Sequence, residues 1–312
     1  MNLPLVSIII PTLNEEKNLP HCLESLKKIA YPKVKQELIV VDGGSIDKTI
    51  AIARKFGAKV YHNPLKIRGA ACKIGVEKAR GELIAFTDAD CVVPKNWLKG
   101  LLAELKNDQV ASVGGPNITP KDDTNFAKAA GEVISLLTKP GSRYGFSSNK
   151  ITETYHNPGC NVLYRKSPIL KAGNFNPDLL TCEDEELDFR LLKNGYKILF
   201  TPRVVVNHYR RPTYKKIFIQ FYRFAFGRSQ AIKLHPKMAR WFHFLPSLAL
   251  ISLVGILPAF MVFLAVSIYL SLAKKTVPFY TYWLIFCLWF LGWSLGFIAG
   301  FLKTNKQVIS SI

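Results

Sequence analysis

Two aspartates separated by one residue, Asp88 and Asp90, follow the apolar run Leu83–Phe86 after Thr87. Such a run is typical of a buried strand, and in an open α/β sheet ligands bind beside the carboxyl ends of the strands. Two carboxylates at this spacing can approach one cation, and Mg²⁺ and Mn²⁺ accept such oxygen ligands, often beside substrate phosphates. The alternative is an Asp-rich turn in which Asp90 caps a helix that starts near Pro94. The pair therefore predicts either a metal site or a turn.

Segments with strand and helix patterns alternate on both sides of this pair. Apolar β-branched runs predict strands, and apolar residues three or four positions apart predict helices. The predicted strands cover residues 6–10, 37–42, 58–61, 83–86, 110–114, 161–165 and a pair within 196–208 that bends at Pro202. The predicted helices cover residues 12–28, 46–56, 68–78, 94–105, 126–137 and a segment that ends at Asn194. This alternation indicates βαβ units and a mainly parallel sheet.

Three of the first four predicted strands end in polar or acidic residues. These residues are Thr12, Asn14 and Glu15, then Asp42, and then Asp88 and Asp90. In a doubly wound sheet such strand ends lie side by side and line one crevice, so together they suggest a nucleotide pocket. Each residue alone is also an ordinary turn or cap residue. The spacing matches neither G-x-G-x-x-G nor a P-loop, which argues against a dinucleotide dehydrogenase or an NTPase.

A second acidic group stands at the start of the helix that ends at Asn194. Glu183, Asp184 and Glu185 there can simply complement the helix dipole. A carboxylate at a helix start that faces a substrate cleft is also a plausible general base. The sequence leaves both interpretations open.

Basic residues and histidines occupy two later stretches. Residues 139–159 have the composition of a long loop, of the kind that forms lids or binding loops. Its residues that could reach an anionic acceptor, or be solvated charges, are Arg143, Lys150 and His156. The last predicted strand ends in His208, followed by Arg210 and Arg211. His208 is either a surface or hydrogen-bonded residue or a metal ligand.

The composition is strongly basic, with 42 Lys and Arg against 22 Asp and Glu among 312 residues. Such a surface suits phosphates, nucleic acid or anionic lipid headgroups. The six cysteines include no C-x-x-C pair, which fits a reducing compartment and argues against a zinc site. The first residues have neither a basic region nor a small-residue cleavage site, so we expect no signal peptide.

Two long apolar stretches follow a basic and aromatic segment. Residues 214–235 have the composition of a helix that lies in a membrane interface, or of an aromatic nucleic-acid surface. Residues 244–273 and 277–302 contain no charged residue, and each exceeds the ~20 residues that span a bilayer. We expect a helical hairpin, with Pro246 at the entry of its first span and Pro258 at a kink. A re-entrant or interfacial pair is the alternative.

The charge distribution orients this hairpin. With two spans both ends of the chain lie on one side, and the excess of Lys and Arg before the spans predicts the cytoplasmic side. The predicted domains are residues 1–212, an interfacial segment 213–242, spans 243–273 and 277–302, and a cytoplasmic tail 303–312.

Taken together, the motifs resemble those of the family 2 glycosyltransferases, which have the GT-A fold. The matching segments are VSIIIPTLNE (6–15), IVVDGGSIDKT (39–49), RGAA (68–71), FTDAD (86–90) and CED (182–184). They follow one another in the family's order. The resemblance implies a Rossmann-like GT-A catalytic domain, followed here by an amphipathic interfacial helix and a two-helix transmembrane hairpin.

The resemblance also implies roles for individual residues. The nucleotide would contact Pro11, Thr12, Asn14, Glu15, Asp42, Arg68, Lys73, Asp88 and Ala89. Within this set, Arg68 and Lys73 would lie near the diphosphate. Asp88 and Asp90 match the D-x-D motif that binds Mn²⁺ or Mg²⁺, with His208 as a further candidate ligand, and Asp184 matches the catalytic base. Candidate contacts to the acceptor or diphosphate are Glu183, Arg210, Arg211, Gln220 and Arg223.

One departure from the family pattern bears on the product. Gln220 and Arg223 resemble the Q-x-x-R-W motif of processive members, but Phe224 stands in place of its tryptophan. This difference and the presence of only two spans argue against processive polymer synthesis.

The resulting hypothesis is inverting, metal-dependent sugar transfer at the cytoplasmic membrane face. The donor would be a UDP- or GDP-sugar, and the acceptor a polyprenyl- or dolichyl-linked lipid or a glycan. A polyprenyl-phosphate monosaccharide synthase is the alternative within the same class. A non-catalytic membrane scaffold that retains a nucleotide-binding fold is the alternative from another class. Nucleic acid is not an expected partner, because a nucleic-acid-binding function would account for the basic charge but not for the two apolar spans.

Overall fold

The computed structural model describes residues 3–138 and 150–303, and these divide into two compact units. The first unit comprises Met1–Ile118, Thr138–Asp178 and Glu183–His208, and the second Thr119–Leu137, Leu179–Cys182 and Tyr209–Ile312. Arg143 and the predicted tail beyond Lys303 lie outside the described residues. The predicted domain boundaries stay a prediction.

The first unit contains a large sheet, a small sheet and their flanking helices. Its strands are β1 Val6–Thr12, β2 Gln36–Asp42, β3 Lys59–His62, β4 Leu83–Phe86, β5 Cys91–Val92, β6 Val110–Gly114, β7 Asn117–Ile118, β8 Thr152–Glu153, β9 Val162–Arg165, β10 Lys197–Phe200 and β11 Val206–His208. The helices are α1 Leu19–Lys27, α2 Thr49–Lys55, α3 Arg68–Lys78, α4 Trp97–Leu102, α6 Lys166–Lys171 and α7 Glu183–Lys193. Helix α5, Asn125–Thr138, lies almost entirely in the second unit.

The large sheet has the strand order β3-β2-β1-β4-β9-β6-β10-β8. Strand β1 pairs in parallel with β2 and β4, as do β2 with β3 and β6 with β10. Strand β9 runs antiparallel between β4 and β6, and β8 is antiparallel to β10. The predicted α/β fold with a mainly parallel sheet is confirmed.

Alternate residues of β1 pack into the cores on the two faces of the sheet. Ile8 and Ile10 belong to one apolar cluster with Leu19 and Leu23 of α1, whereas Ile9 belongs to the other. Successive side chains of a strand point to opposite faces, so an uninterrupted apolar run fits a strand covered on both sides.

Strand β1 extends beyond the predicted residues 6–10 and includes Pro11. The strand continues to Thr12, and Pro11 is the register partner of Val41 on β2. On its other side, β4 pairs with β1 only as far as Ile9. Proline is tolerated where a strand has a free edge, because its missing N–H is not needed for a ladder there.

The helix predicted from Thr12 begins only at Leu19, because the preceding segment is tied to the next loop. Asn14 has a positive φ of 55°. Its N–H donates to Ser45 Oγ at 2.7 Å, and the N–H of Glu15 donates to Thr49 Oγ1 at 2.8 Å. These bonds satisfy backbone groups that a helix would otherwise leave unpaired at its start.

The two strands predicted within residues 196–208 are present on either side of Pro202, but they do not pair with each other because they belong to different sheets. Strand β10 lies in the large sheet, and β11 is the central strand of the small sheet β5-β11-β7. Asn161 holds the intervening segment, since its amide donates to the carbonyl oxygens of Pro116 and Val204 at 2.9 and 2.8 Å.

Helices make up most of the second unit. Besides α5 they are α8 Tyr214–Leu234, α9 Trp241–Ser252, α10 Ile256–Lys274 and α11 Phe279–Leu302. Helices α10 and α11 are long and apolar enough to cross a membrane, at about 28 and 36 Å against a hydrocarbon core of about 30 Å. The apolar stretch of α10 is mostly exposed, and half of that of α11 is buried.

The predicted first span, residues 243–273, consists of two helices. The break falls after Ser252, where Leu253 has a positive φ of 60°. Pro258 was expected at a kink within one helix, but it lies in the first turn of α10. Proline is compatible with a first turn because those N–H groups have no partner within the helix.

Three glycines of α11 allow close packing against α8. Gly292, Gly296 and Gly300 are four residues apart and therefore share one face of the helix. A β-carbon at Gly296 would overlap the carbonyl group of Tyr222, and one at Gly300 would overlap Ser229. Small residues at this spacing let helix backbones approach closely in membrane proteins. We name this contact the glycine seam.

We predict that Gly296→Val destabilises the second unit by about 1–3 kcal/mol, because the added methyl groups force α8 and α11 apart. The measurement is thermal unfolding of the detergent-purified protein. Leu295→Phe is the matched control, since Leu295 is one residue away and 45% exposed. Equal unfolding temperatures for wild type and Gly296→Val would contradict a tight seam.

A buried carboxylate at the opposite end of β2 from Asp42 stabilises the first unit. Glu37 accepts hydrogen bonds from Ser7 Oγ at 2.6 Å, Lys59 Nζ at 2.8 Å, and the backbone N–H and Nε of Arg80 at 2.7 and 2.8 Å. Burial alone would raise the pKa of Glu37, but these donors outweigh it and lower that pKa to about 2.

The pKa of Glu37 is lower in the folded protein than its ordinary value of 4.5. Its ionised carboxylate therefore stabilises the fold at pH values above 4.5, and this stabilisation is lost as the pH falls toward 2. We therefore predict that wild type loses up to about 3 kcal/mol of its free energy of unfolding between pH 4.5 and pH 2. The Glu37→Gln variant should be less stable than wild type at neutral pH and should lose less stability over the same pH range. Unfolding temperatures measured from pH 7 to pH 2 test this. Glu24→Gln, which removes an exposed ion pair with Lys27, serves as the control and should follow wild type.

Candidate active site

The three predicted metal ligands meet where β4 ends. One ligand atom each from Asp88, Asp90 and His208 lies within 4.8 Å of the others. His208 reaches this point because β11 pairs with β5, which directly follows Asp90, and its Nε2 lies 3.3 Å from Asp90 Oδ1. Two carboxylates and an imidazole suit a divalent cation such as Mn²⁺ or Mg²⁺.

Asp90 does not cap the next helix. Helix α4 begins at Trp97, and Asn96 occupies its N-cap position. Asp90 is buried, whereas the side chain of Asp88 is 27% exposed. The chain does turn here, since the N–H of Cys91 donates to the carbonyl of Asp88 at 3.1 Å, but the predicted cap is wrong. The metal-binding role of the pair stays a prediction.

Arg68, the first residue of α3, joins this carboxylate pair to the start of α7. Its Nε and Nη2 donate to Asp88 Oδ1 at 3.2 and 3.0 Å, and its Nη1 donates to Glu183. Its Nη2 also donates to the carbonyl of Gly159 at 3.0 Å. Burial would lower the pKa of Arg68, but Asp88 and the nearby acidic residues outweigh it and raise that pKa further. The guanidinium therefore stays charged.

Asp184, the predicted base, lies one residue beyond Glu183 in the first turn of α7. Its Oδ2 accepts a hydrogen bond from the N–H of Gly159 at 3.1 Å, and its Oδ1 accepts one from the N–H of Glu185 at 2.8 Å. Glu183 is fully buried, and this burial raises its pKa against the opposing charge of Arg68.

Behind Asp184 is a buried network that the sequence did not predict. His156 Nδ1 is 2.7 Å from Asp188 Oδ2, and His156 Nε2 is 3.7 Å from Asp184 Oδ2. Asp188 also accepts hydrogen bonds from Tyr164 Oη at 2.9 Å and the N–H of Asn157 at 3.0 Å. Burial raises the pKa of Asp188, although these donors oppose the shift.

His156 was expected to be a solvated charge or a contact to an anionic acceptor, and the structure supports neither. It is 4% exposed and lies between two carboxylates. The one sequence feature that could have predicted this network is the four-residue spacing of Asp184 and Asp188, which places both on one face of α7. Nothing in the sequence identified the loop histidine as their partner.

The ends of β1 and β2, where the sequence predicts a nucleotide pocket, lie side by side. Thr12 and Asp42 are register partners, and Thr12 Oγ1 donates to Asp42 Oδ1 at 3.0 Å. Asp42 Oδ2 also accepts from the N–H groups of Gly44 and Ser45 at 2.8 and 2.7 Å. Gly44 has a positive φ of 88°, which glycine adopts without strain. Asn14 Oδ1 accepts from the N–H of Ile46 at 3.0 Å.

The remaining predicted nucleotide contacts differ in exposure. Pro11, Glu15 and Lys73 are partly exposed, and Glu15 accepts a hydrogen bond from Asn18 at 2.8 Å. Ala89 is 3% exposed and its side chain packs in the core with Leu19 of α1, so only its backbone is available to a ligand. The nucleotide-binding roles of these residues stay predictions.

The predicted acceptor contacts other than Glu183 belong to the second unit. Arg210 is buried there, and its N–H and Nε donate to Asp123 at 2.9 Å and to Thr119 at 3.2 Å. Gln220 Oε1 and Arg223 Nε are buried without a hydrogen-bond partner among the described residues. The roles of Arg210, Arg211, Gln220 and Arg223 stay predictions.

Comparison with known proteins gives the family. A family model described as Glycosyl transferase family 2 matches residues 7–172. The glycosyltransferase AglE of Haloferax volcanii is 31% identical over 266 residues, which cover 82% of each chain. The chain therefore belongs to glycosyltransferase family 2 and is a glycosyltransferase.

Two further similarities concern the acceptor and the fold. A Methanococcus voltae protein is 29% identical over 231 residues, covering 69% of this chain and 70% of its own. It is named a dolichyl N-acetyl-α-D-glucosaminyl phosphate 3-β-D-2,3-diacetamido-2,3-dideoxy-β-D-glucuronosyltransferase. The mannosyltransferase PcManGT of Pyrobaculum calidifontis, solved with GDP-Man and Mn²⁺, has a TM-score of 0.64 at 19% identity over 95% of this chain and 87% of its own. The GT-A fold is thereby confirmed.

We predict that Asp188→Asn lowers kcat by about tenfold or more with little change in KM, because His156 loses the charge that orients it toward Asp184. The measurement is steady-state sugar transfer as a function of pH, in which the activity profile should also shift. Tyr164→Phe removes one hydrogen bond to Asp188 but keeps its charge, so it should have a smaller effect. A variant with reduced stability but unchanged kcat and pH profile would show that the network is only structural.

Proposed function

We propose that the chain is an inverting, metal-dependent glycosyltransferase that transfers a sugar from a nucleotide-sugar donor to a lipid-linked acceptor at the cytoplasmic membrane face. One observation carries this proposal: five side chains meet at one edge of the sheet in the first unit. They are Asp88, Asp90, His208, Arg68 and Asp184. Family membership supplies the reaction class.

The donor is a nucleoside diphosphate sugar, and its leaving group is a diphosphate. Asp88, Asp90 and His208 hold Mn²⁺ or Mg²⁺, which neutralises charge on that leaving group when bound. The structurally similar PcManGT was solved with GDP-Man and Mn²⁺, which supports this assignment. Arg68 keeps its positive charge beside Asp88 and lies near the diphosphate, together with Lys73.

The base and ribose of the donor occupy the pocket at the first two strand ends. Asp42 is fixed by Thr12 and by the N–H groups of the following turn, so its carboxylate is already oriented. Pro11, Asn14 and Glu15 complete the wall of this pocket. The site is compatible with a UDP- or a GDP-sugar.

The acceptor attacks the anomeric carbon from the face opposite the diphosphate, which inverts its configuration. Asp184 accepts the proton when the attacking group is a hydroxyl, and the Gly159 N–H orients its carboxylate. An acceptor phosphate is already anionic, and a base then contributes little. The name of the Methanococcus voltae relative indicates a dolichyl-linked sugar as its acceptor, which favours extension of a lipid-linked sugar here.

Helices α10 and α11 anchor the enzyme, and the basic helix α8 brings the lipid-linked acceptor to headgroup level. The Lys and Arg residues that precede the spans, together with Lys303, support a cytoplasmic position of the catalytic domain. Lys274 and Lys275 in the short connection then face the opposite side.

The test is release of nucleoside diphosphate by the detergent-purified protein from a panel of UDP- and GDP-sugars, with Mn²⁺, Mg²⁺ or a chelator. Each donor is offered with a polyprenyl phosphate and with a polyprenyl-linked sugar. We expect metal-dependent release from one donor, and a loss of about 100-fold or more in both Asp90→Asn and Asp184→Asn. The Asp184→Asn variant should still bind the donor, whereas Asp90→Asn should bind it more weakly.

Product analysis separates the remaining alternatives. An extended lipid-linked glycan of inverted anomeric configuration supports the proposal, and a lipid monophosphate sugar would instead identify a polyprenyl-phosphate monosaccharide synthase. Retained configuration would refute the inverting mechanism. If no donor binds and no diphosphate is released with any acceptor, the chain is a non-catalytic scaffold.

A further inference from the structure

Two cysteines and a histidine from separate segments converge beside the carboxylate pair. Ligand atoms of Cys91, Cys160 and His208 lie within 4.8 Å of one another, and Cys160 Sγ is 3.9 Å from His208 Nδ1. Cys91 on β5 and His208 on β11 are register partners across the small sheet. Cys160 precedes β9, and the folded chain brings it to this pair. We name the three residues the thiol cluster.

The thiol cluster has the donors of a site for a soft or borderline cation. Both cysteines are buried free thiols, and the side-chain amide of Asn117 donates to Cys160 Sγ at 3.3 Å. Thiolate sulfur with imidazole nitrogen selects Zn²⁺ and Cd²⁺ over Mg²⁺, which prefers oxygen. The sequence argued against a zinc site because no local cysteine pair exists, and the cluster is formed only by tertiary structure.

We propose that the thiol cluster binds a thiophilic divalent cation such as Zn²⁺. Cys91 Sγ, Cys160 Sγ and His208 Nδ1 are its ligands. Its ligand atoms differ from those of the proposed Mn²⁺ or Mg²⁺ site formed by Asp88, Asp90 and His208, which we name the carboxylate site. The two sites share His208.

Sharing His208 makes the two cations compete, a consequence that rests on the proposed function of Asp88 and Asp90. The Nε2 of His208 faces Asp90 and its Nδ1 faces Cys160. A neutral imidazole has one nitrogen with a lone pair and one with a proton. When Nδ1 binds zinc, Nε2 carries the proton and donates to Asp90 in place of binding Mn²⁺ or Mg²⁺. Zinc therefore inhibits transfer by weakening the catalytic metal site.

The first experiment measures the thiol cluster without any assay of activity. Cd²⁺ is titrated into the full detergent-purified chain under a phosphine reductant, and the ultraviolet thiolate-to-cadmium charge-transfer absorption is recorded. We expect one equivalent to bind, and Cys160→Ser to weaken binding at least about tenfold. Cys22→Ser is the matched control, because Cys22 is equally buried in the first unit but outside the cluster. Absence of the absorption in wild type, or its persistence in Cys160→Ser, would refute the site.

The second experiment tests the competition. Bound Mn²⁺ is measured from the loss of the free Mn²⁺ electron paramagnetic resonance signal, with and without one equivalent of Zn²⁺. We expect zinc to weaken Mn²⁺ binding at least about tenfold in wild type and in Cys22→Ser but not in Cys160→Ser. Unchanged Mn²⁺ affinity with zinc bound would refute the sharing of His208. Cadmium binding without any Mn²⁺ binding would refute the proposed carboxylate site while leaving the thiol cluster intact.

Discussion

The bridge made by Arg68 is the interaction on which the site of the first unit depends. Its guanidinium contacts Asp88, the carbonyl of Gly159 and Glu183, which are 20, 91 and 115 residues away in sequence. These contacts join the end of β4, the loop before β9 and the start of α7. Because the bridging group is planar and always charged, it fixes direction as well as distance. Four carboxylates, those of Asp88, Asp90, Glu183 and Asp184, can therefore gather at one edge of the sheet.

One arginine leaves most of this negative charge uncompensated. A buried or partly buried carboxylate is costly unless it is paired, and Glu183 responds with a raised pKa. Under the proposed function, a divalent cation beside Asp88 and Asp90 would supply the remaining positive charge. Two histidines also lie next to aspartates, His208 at 3.3 Å from Asp90 and His156 at 2.7 Å from Asp188. The site is thus a set of acids, each held by a nearby cation or donor.

Local patterns carried much of the prediction. Helix α3 and strand β6 have the predicted bounds, because the composition of each segment is a local property. The crevice residues followed from the rule that parallel strands share a carboxyl edge. Features that depend on distant partners were missed: the Asn14 segment is held by Ser45, and the link between His156 and Asp188 spans 32 residues. The thiol cluster was not predicted either, because its three residues are distant from one another in sequence.

The glycine seam changes what α8 can do in the second unit. Composition alone describes α8 as a helix lying freely in a membrane interface, with its aromatic residues in the lipid. Instead, Phe221 and Phe226 are buried, and the backbone around Tyr222 is in close contact with α11. Lys215, Lys216 and Lys233 remain exposed on the same helix. Since a helix packed along a candidate span is fixed in angle and depth, any contact of these lysines with lipid headgroups follows from protein packing as well as from amphipathicity.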